Sequence, residues 1–127
     1  MERKLDITII GPGVVGRALG QVAHRVGYRL AAVGGGSHPK QTALFAASVG
    51  GAPVLPLAKA AAAGSLVLLT VKDAASQSIC EQLSAAGGLD HRPIVAHCSG
   101  ALGSAVLSSA RKIGCPVGSI HPLQTFP

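Results

Sequence analysis

Residues 5–27 carry the pattern that most constrains the fold. A run rich in β-branched residues, Leu5–Ile10, leads directly into the sequence GPGVVG and then into a segment with helical apolar periodicity. The pattern predicts a buried strand, a tight turn and a helix over Val14–Val26, with Gly27 as a left-handed C-terminal cap. Because G-x-G-x-x-G between a strand and a helix is typical of dinucleotide-binding domains, the segment predicts a pyrophosphate site at the turn.

Each glycine of this turn has a separate predicted role. Gly11 allows the sharp turn, Gly13 lets the backbone approach a pyrophosphate, and Gly16 lets the helix pack closely on the strand. The first N–H groups of the helix and the positive end of its dipole would then face the anion. An ordinary glycine-rich turn is the alternative, since the chain has 17 glycines. The cofactor-binding residues predicted in this turn are Gly11, Pro12, Gly13, Val14, Val15 and Gly16.

Composition and the alternation of elements predict the fold class. Of the 127 residues 48% are hydrophobic and 13% are charged, which indicates one domain with a sizeable core. Aromatic residues make up only 2%, so the core must be aliphatic, as is typical of parallel sheets covered by helices. The predicted fold is α/β: a doubly wound, mainly parallel sheet with helices on both faces.

The remaining elements follow from short apolar runs and turn residues. Two details of the helices are also predicted: Asp73 is the N-cap of the fourth helix, and one apolar stripe of the first helix is core. That stripe consists of Val15, Leu19, Val22 and Val26. The further strands are predicted at Arg29–Val33, Pro53–Leu55, Ser65–Val71, Pro93–Cys98 and Pro116–Ile120. The further helices are predicted at Gln41–Val49, Leu57–Ala63, Ala74–Ala86 and Ala101–Ile113.

Charge is distributed unevenly along the chain. The net charge is +6, and no acidic residue lies between Ile7 and Lys72. That segment carries the whole net charge, which indicates an anionic partner, and a phosphate-rich cofactor fits. Binding to nucleic acid is a weaker alternative, since there is neither a basic run nor an aromatic platform.

The end of the second predicted strand indicates which dinucleotide is bound. An NAD site usually has Asp or Glu there to bind the ribose 2′-hydroxyl. Here the sequence is GGGSHPK, without a carboxylate, and Ser37, His38 and Lys40 could bind a 2′-phosphate. We therefore expect NADP as the cofactor, with NAD as the alternative. The loop could also be a solvated glycine segment whose His and Lys contact only water.

Other site residues are predicted from the rule that ligands bind beyond the carboxyl ends of parallel strands. It places Thr70, Val71 and Lys72 on the path to the nicotinamide ribose. Ser99 could approach the nicotinamide or the substrate, or could simply form a turn. His121 could donate a hydrogen bond or a proton to a substrate carbonyl. Ordering the chain where it leaves the sheet is the alternative role for His121.

Histidine and cysteine residues elsewhere have structural interpretations. His97, inside an apolar strand, is interpreted as a hydrogen-bonded structural residue, and Cys80 as core or near-core. The three cysteines, which include Cys98 and Cys115, show neither metal-ligand nor disulfide spacing, and reduced thiols indicate a cytoplasmic protein. No apolar run approaches the ~20 residues that span a membrane, so no membrane partner is expected.

Four segments carry a family resemblance: LDITIIGPGVVGRALG, LLTVKD, HCSGALGSAVL and SIHPLQTF. Together they resemble the Rossmann-like oxidoreductases that have a C-terminal helical domain of unknown function. They are more distantly similar to the 6-phosphogluconate-dehydrogenase-like superfamily, with its pyrroline-carboxylate and coenzyme F420-dependent NADP reductases. The resemblance implies hydride transfer between NADP(H) and a small carbonyl or imine substrate.

The resemblance also implies roles for residues of this chain. Ser37 and its neighbours would bind the adenosine ribose, and Ser99 and His121 would face the nicotinamide or the substrate. The pyrophosphate-binding residues that it implies are Gly11, Gly13, Val14 and Val15.

Two features depart from the family pattern. Relatives more usually have proline where Lys72 stands, and the chain ends at Pro127 without the helical domain that would close the site. We therefore expect a cofactor-binding domain that is weak or inactive alone, and a homodimer when the helical domain is present. The alternative function is a non-catalytic nucleotide-sensing or protein-interaction module.

Overall fold

The structure is a computed structural model, and the residues that it describes are 5–35, 37–98 and 104–120. Six strands and five helices alternate within this part of the chain. The strands are β1 (Asp6–Ile10), β2 (Arg29–Gly34), β3 (Val54–Leu55), β4 (Leu66–Leu69), β5 (Ile94–His97) and β6 (Val117–Ser119). The helices are α1 (Val14–Arg25), α2 (Pro39–Ser48), α3 (Leu57–Ala63), α4 (Asp73–Ala85) and α5 (Ser108–Lys112). One turn of 3₁₀-helix, Ser104–Leu107, comes directly before α5.

The six strands form one sheet in the order β3-β2-β1-β4-β5-β6, and all neighbouring strands are parallel. Ile9 of β1 lies opposite Val33 of β2 on one side and Leu68 of β4 on the other. The chain thus moves from β1 to β3 in one direction and then returns across β1 to β4. This reversal opens a crevice at the carboxyl end of β1, where doubly wound sheets bind ligands.

Helices cover both faces of the sheet, which confirms the predicted α/β fold. Ile9 and Ile10 are both fully buried and belong to opposite apolar layers, because successive strand residues point to opposite faces. One layer includes Ala60 of α3 and Leu83 of α4, and the other includes Phe45 of α2. Cys80 is fully buried in the first layer, as predicted.

The predicted core stripe of α1 is wrong in its second half. Val22 is 46% exposed and Val26 is 61% exposed, whereas the buried residues of α1 are Gly16 and Gly20. The ring of Phe45 lies so close to Gly20 that a Cβ at that position would overlap it. The missing side chains at the two glycines let neighbouring elements approach this side of α1, and the two valines therefore face outward.

Asp73 is not the N-cap of α4. The extended residue before the helix is Lys72 (φ −58°, ψ 148°), and Asp73 is the first helical residue. Its carboxylate therefore stabilises the first turn through the helix dipole.

Other predicted bounds agree to within a few residues, with one larger difference. Helix α2 begins at Pro39 rather than Gln41, because proline suits the first helical position. The cap at Gly27 is left-handed (φ 100°), as predicted. Of the helix predicted over Ala101–Ile113, residues 101–103 lie outside the described part, and the α-helical portion is only α5.

Candidate functional site

The glycine turn after β1 is tied to both neighbouring strands. Gly11 has φ 76°, and its N–H donates to the carbonyl oxygen of Gly34, at the end of β2, at 2.8 Å. A Cβ at residue 11 would overlap the side chain of Val71, which follows β4. The conformation and the space at this position therefore both require glycine.

Thr70 connects the end of β4 to the same turn. Its hydroxyl is shared between the carbonyl oxygens of Ile10, at 3.0 Å, and Gly11, at 2.9 Å. Its backbone N–H also donates to the carbonyl oxygen of Ile10, at 2.9 Å. These bonds hold the glycine turn in place before any ligand binds.

Gly13 differs from the glycines around it. Its backbone (φ −86°, ψ −155°) suits any residue, and a Cβ there would have no neighbouring heavy atom within 4 Å. Neither backbone strain nor packing within the protein requires glycine at this position. The open space in front of Gly13 is where a pyrophosphate would approach the backbone, so the turn fits a dinucleotide.

A cavity of about 380 Å³ opens at the carboxyl ends of β1, β2 and β4. Its volume lies in the range of pockets that bind cofactors and small molecules. The predicted cofactor residues that line it are Gly11, Pro12, Gly13, Ser37, His38, Val71 and Lys72.

Three helices begin at this cavity. The N-cap residues of α1, α2 and α4 are Gly13, His38 and Lys72, and all three line it. None of these residues forms a side-chain hydrogen bond that caps its helix. Three positive dipole ends with uncapped first-turn N–H groups therefore face the same space, an arrangement that favours an anion carrying several phosphates.

Positively charged side chains add to this field. Arg17 and Lys72 line the cavity. The one ion pair found among the described residues joins Arg29 to Asp6, which lies at the opposite end of β1. Asp73 is exposed in the first turn of α4 and does not line the cavity.

Not every predicted site residue lies at the cavity. Val14 is 78% exposed, Val15 is partly buried and Gly16 is buried, and none of the three lines it. Lys40 lies in an adjoining recess that shares His38 and Gln41 with the cavity. Ser99 and His121 fall outside the described residues.

The cavity also includes residues that the sequence had not indicated: Arg17, Gln41, Thr42 and Ala75. The N–H of Arg17 donates to the carbonyl oxygen of Gly13 at 2.9 Å, which places Arg17 one turn after the start of α1. The presence of a basic residue directly after the third glycine of the turn was a sequence signal that could have identified Arg17. The position of Gln41 had no such signal, because it depends on how α2 packs against α1.

The end of β5 carries a cysteine thiol and a buried imidazole. His97 is buried within β5, and the next residue is Cys98. Burial raises the pKa of the Cys98 thiol to about 11, so it is protonated at neutral pH. Among residues 5–35, 37–98 and 104–120, no three His, Cys, Asp or Glu side chains are grouped as metal ligands would be. No helix in these ranges is long and apolar enough to cross a membrane.

Solved structures with the same fold include reductases and other oxidoreductases. A protein from Bacteroides fragilis, provisionally assigned as an NADP oxidoreductase, is 16% identical with a TM-score of 0.69; the match covers 95% of this chain and 62% of that one. An imine reductase variant from Myxococcus stipitatus in complex with NAD⁺ is 20% identical with a TM-score of 0.70, covering 93% and 41%. A pyrroline-5-carboxylate reductase from Coxiella burnetii is 18% identical with a TM-score of 0.71, covering 91% and 43%. The chain therefore spans less than two thirds of the length of each of these proteins, and the likeness establishes the fold.

Family membership comes from the sequence of nearly the whole chain. None of the curated proteins matches it closely enough to count as a relative. The model of the Rossmann-like domain matches residues 1–122. The strand order, with the switch of direction next to β1, is the order that this fold requires. The chain therefore belongs to the Rossmann-like domain family.

Proposed function

We propose that the chain is the NADP(H)-binding domain of an oxidoreductase. The observation that carries the proposal is Gly13: it has no structural need to be glycine, and it faces a cavity at which three uncapped helices begin. The pyrophosphate would bind at the turn between Gly11 and Gly13, against the first N–H groups of α1. The fold is shared with enzymes whose names include NADP and NAD⁺, which supports a nicotinamide dinucleotide.

The phosphorylated cofactor is favoured over NAD by the chemistry at the end of β2. Ser37 and His38 line the cavity where an NAD site would have a carboxylate, and Lys40 lies in the adjoining recess. A hydroxyl, an imidazole and an ammonium group can all donate hydrogen bonds to a 2′-phosphate. A carboxylate at this position would repel that phosphate.

The proposed reaction is hydride transfer between the nicotinamide and a small carbonyl or imine. Bound NADP(H) supplies the hydride chemistry, and the protein supplies position and electrostatics. Val71 and Lys72 would border the nicotinamide ribose, on the β4 side of the cavity. Ser99 and His121 would face the substrate, with His121 donating a hydrogen bond or a proton to its carbonyl oxygen or imine nitrogen.

The first experiment is an equilibrium titration of the chain with NADPH and with NADH by calorimetry at constant ionic strength. We expect saturable binding of one NADPH per chain, tighter than binding of NADH. Absence of saturable binding of either dinucleotide would overturn the proposal. Equal or tighter binding of NADH would overturn the preference for NADP.

A second experiment separates an oxidoreductase from a module that only senses nucleotides. The absorbance of NADPH is followed while a panel of small carbonyl and imine compounds is added. Because the chain alone is expected to be weak or inactive, the assay uses the chain joined to the C-terminal helical domain of the resembled family. We expect at least one compound to accelerate NADPH oxidation by this joined protein. Tight NADPH binding with no oxidation across the panel would favour the sensing module.

A further inference from the structure

Arg17 presents an unneutralised positive charge at one end of the cavity. Its side chain is half-buried, and its guanidinium Nη1 donates to the carbonyl oxygen of Pro12 and to Oε1 of Gln41, each at 3.4 Å. Both acceptors are neutral, and both distances exceed the usual 2.7–3.2 Å of such bonds. Nε and Nη2 have no hydrogen-bond partner among the described residues.

Such a guanidinium can exchange its present partners for a better one at little cost. Bonds from arginine to phosphate oxygens are shorter and about twice as strong as bonds to neutral acceptors, and they are often bidentate. No acidic residue between Ile7 and Lys72 competes for the charge. The two long bonds keep Arg17 at the cavity without neutralising it.

The position of Gln41 favours the adenosine end of the cavity as the place that Arg17 serves, although its other partner, Pro12, belongs to the glycine turn. Gln41 lies in the first turn of α2, three residues after His38, and both residues line the cavity beyond the end of β2. In a doubly wound domain this is the end that holds the adenosine ribose. The connection from β2 to α2 has no arginine of its own, since the chain has none between Arg29 and Arg92.

We propose that Arg17 of α1, positioned by Gln41 of α2, binds the 2′-phosphate of NADP(H) and is the main determinant of the preference for NADP over NAD. This inference rests on the proposed function and deepens it. NADP-specific domains commonly place an arginine near the 2′-phosphate. Here the first helix supplies the guanidinium across the groove between α1 and α2.

The test compares Arg17→Ala with Arg25→Ala, which removes an exposed arginine of the same helix that does not line the cavity. Binding of four probes is measured by calorimetry: NADPH, NADH, 2′,5′-ADP and 5′-AMP. We expect Arg17→Ala to weaken the binding of NADPH and of 2′,5′-ADP about 10- to 100-fold, because hydrogen bonds to a charged group are lost. NADH and 5′-AMP should change less than about twofold, because they lack the phosphate that Arg17 binds. Arg25→Ala should match the unmodified chain with all four.

Gln41 is tested as a positioning residue through selectivity. Gln41→Glu places a carboxylate against Arg17, so we expect it to weaken NADPH binding more than NADH binding. The loss of NADPH affinity should also be greater in Gln41→Glu than in Gln41→Ala. If Gln41 had a purely structural role, its substitution would reduce the affinities for NADPH and NADH equally. Thermal unfolding of each variant shows whether it folds. Arg17→Lys keeps the charge but not the planar guanidinium group, so its affinity for NADPH should lie between those of Arg17→Ala and the unmodified chain.

The outcomes distinguish failure of this inference from failure of the proposed function. Equal losses of NADPH and NADH in Arg17→Ala would mean that Arg17 binds the pyrophosphate, which overturns the inference and leaves the proposed function intact. Unchanged NADPH binding in Arg17→Ala would overturn it as well. An unmodified chain that binds none of the four probes would overturn both the inference and the proposed function.

Discussion

The hydroxyl oxygen of Thr70 occupies the place that a Cβ atom at residue 16 would need, so Gly16 of α1 is in direct contact with Thr70, the residue that follows β4. The same hydroxyl is hydrogen-bonded to the carbonyl oxygens of Ile10 and Gly11. The third glycine of the turn, Gly16, therefore does more than let α1 pack closely on β1. It leaves room for the side chain that holds the first glycine in place.

Gly16→Ala should destabilise the chain, because the new methyl group would displace Thr70 and weaken its bonds to the turn. We expect a loss of about 1–3 kcal/mol in the free energy of unfolding, as is usual for overpacking. Urea denaturation measures it. Gly118→Ala, at a glycine of β6 where a Cβ would have no neighbour within 4 Å, is the matched control. Equal stability of the two variants would contradict the contact.

Gly13→Thr should leave stability nearly unchanged and reduce cofactor binding. Threonine is about as good as glycine at an N-cap, and the side chain would enter open space. It would also occupy the path of the pyrophosphate, so the Kd for NADPH should rise about 10-fold or more. Calorimetry gives the Kd, with Gly118→Thr as the control for the substitution. Unchanged NADPH affinity in Gly13→Thr would place the phosphates elsewhere.

Ser37→Asp should move the preference from NADPH toward NADH. The new carboxylate can accept bonds from a 2′-hydroxyl and repels a 2′-phosphate. The ratio of the two Kd values, measured on the same preparation, reports the change. Gln82→Glu adds the same charge at an exposed position of α4 away from the cavity and should leave the ratio as it was. A ratio that changes equally in both variants would reflect net charge alone.

The apolar residue that follows α1 should contribute less to stability than the aromatic residue of α2. Val26→Ala, at a position 61% exposed, should change the free energy of unfolding by less than about 0.5 kcal/mol. Phe45→Ala should cost about 3–5 kcal/mol, because the ring is buried against Gly20 and leaves a cavity. Chemical denaturation measures the free energy of unfolding of the two variants. Comparable losses would mean that the Val26 side chain is part of the core.

Cys98 should be slow to alkylate in the folded chain. Because burial raises its pKa to about 11, the thiolate fraction at pH 8 is about 100-fold below that of a thiol with pKa 9. Treatment with iodoacetamide followed by peptide mass spectrometry measures the rate, with the chain in urea as the reference. The folded rate should increase about tenfold per pH unit up to pH 10. A folded rate equal to that in urea would show a fully accessible, ordinary thiol.

Much of the fold could be predicted from local sequence. Helix α3 has the predicted bounds, and β1, α1 and the cap at Gly27 agree to within one residue. These features depend on strand propensity, helical periodicity and the conformational freedom of glycine, all of which act between near neighbours in the chain. The observed bounds of α4 differ from the predicted ones by one residue. The local sequence is compatible with either Lys72 or Asp73 as the N-cap, so it could not decide between them.

The sequence by itself determined that a glycine turn joins a strand to a helix, that parallel strands alternate with helices, and that a segment without acids surrounds the turn. Only the tertiary structure decided that α1 buries its glycines rather than Val22 and Val26, and that Arg17 meets Gln41, 24 residues away. Local patterns describe how a segment folds against an unspecified core. The packing of α1 against α2 sets which side chains meet, because that contact depends on the strand order of the whole sheet and on the bulk of every residue between them.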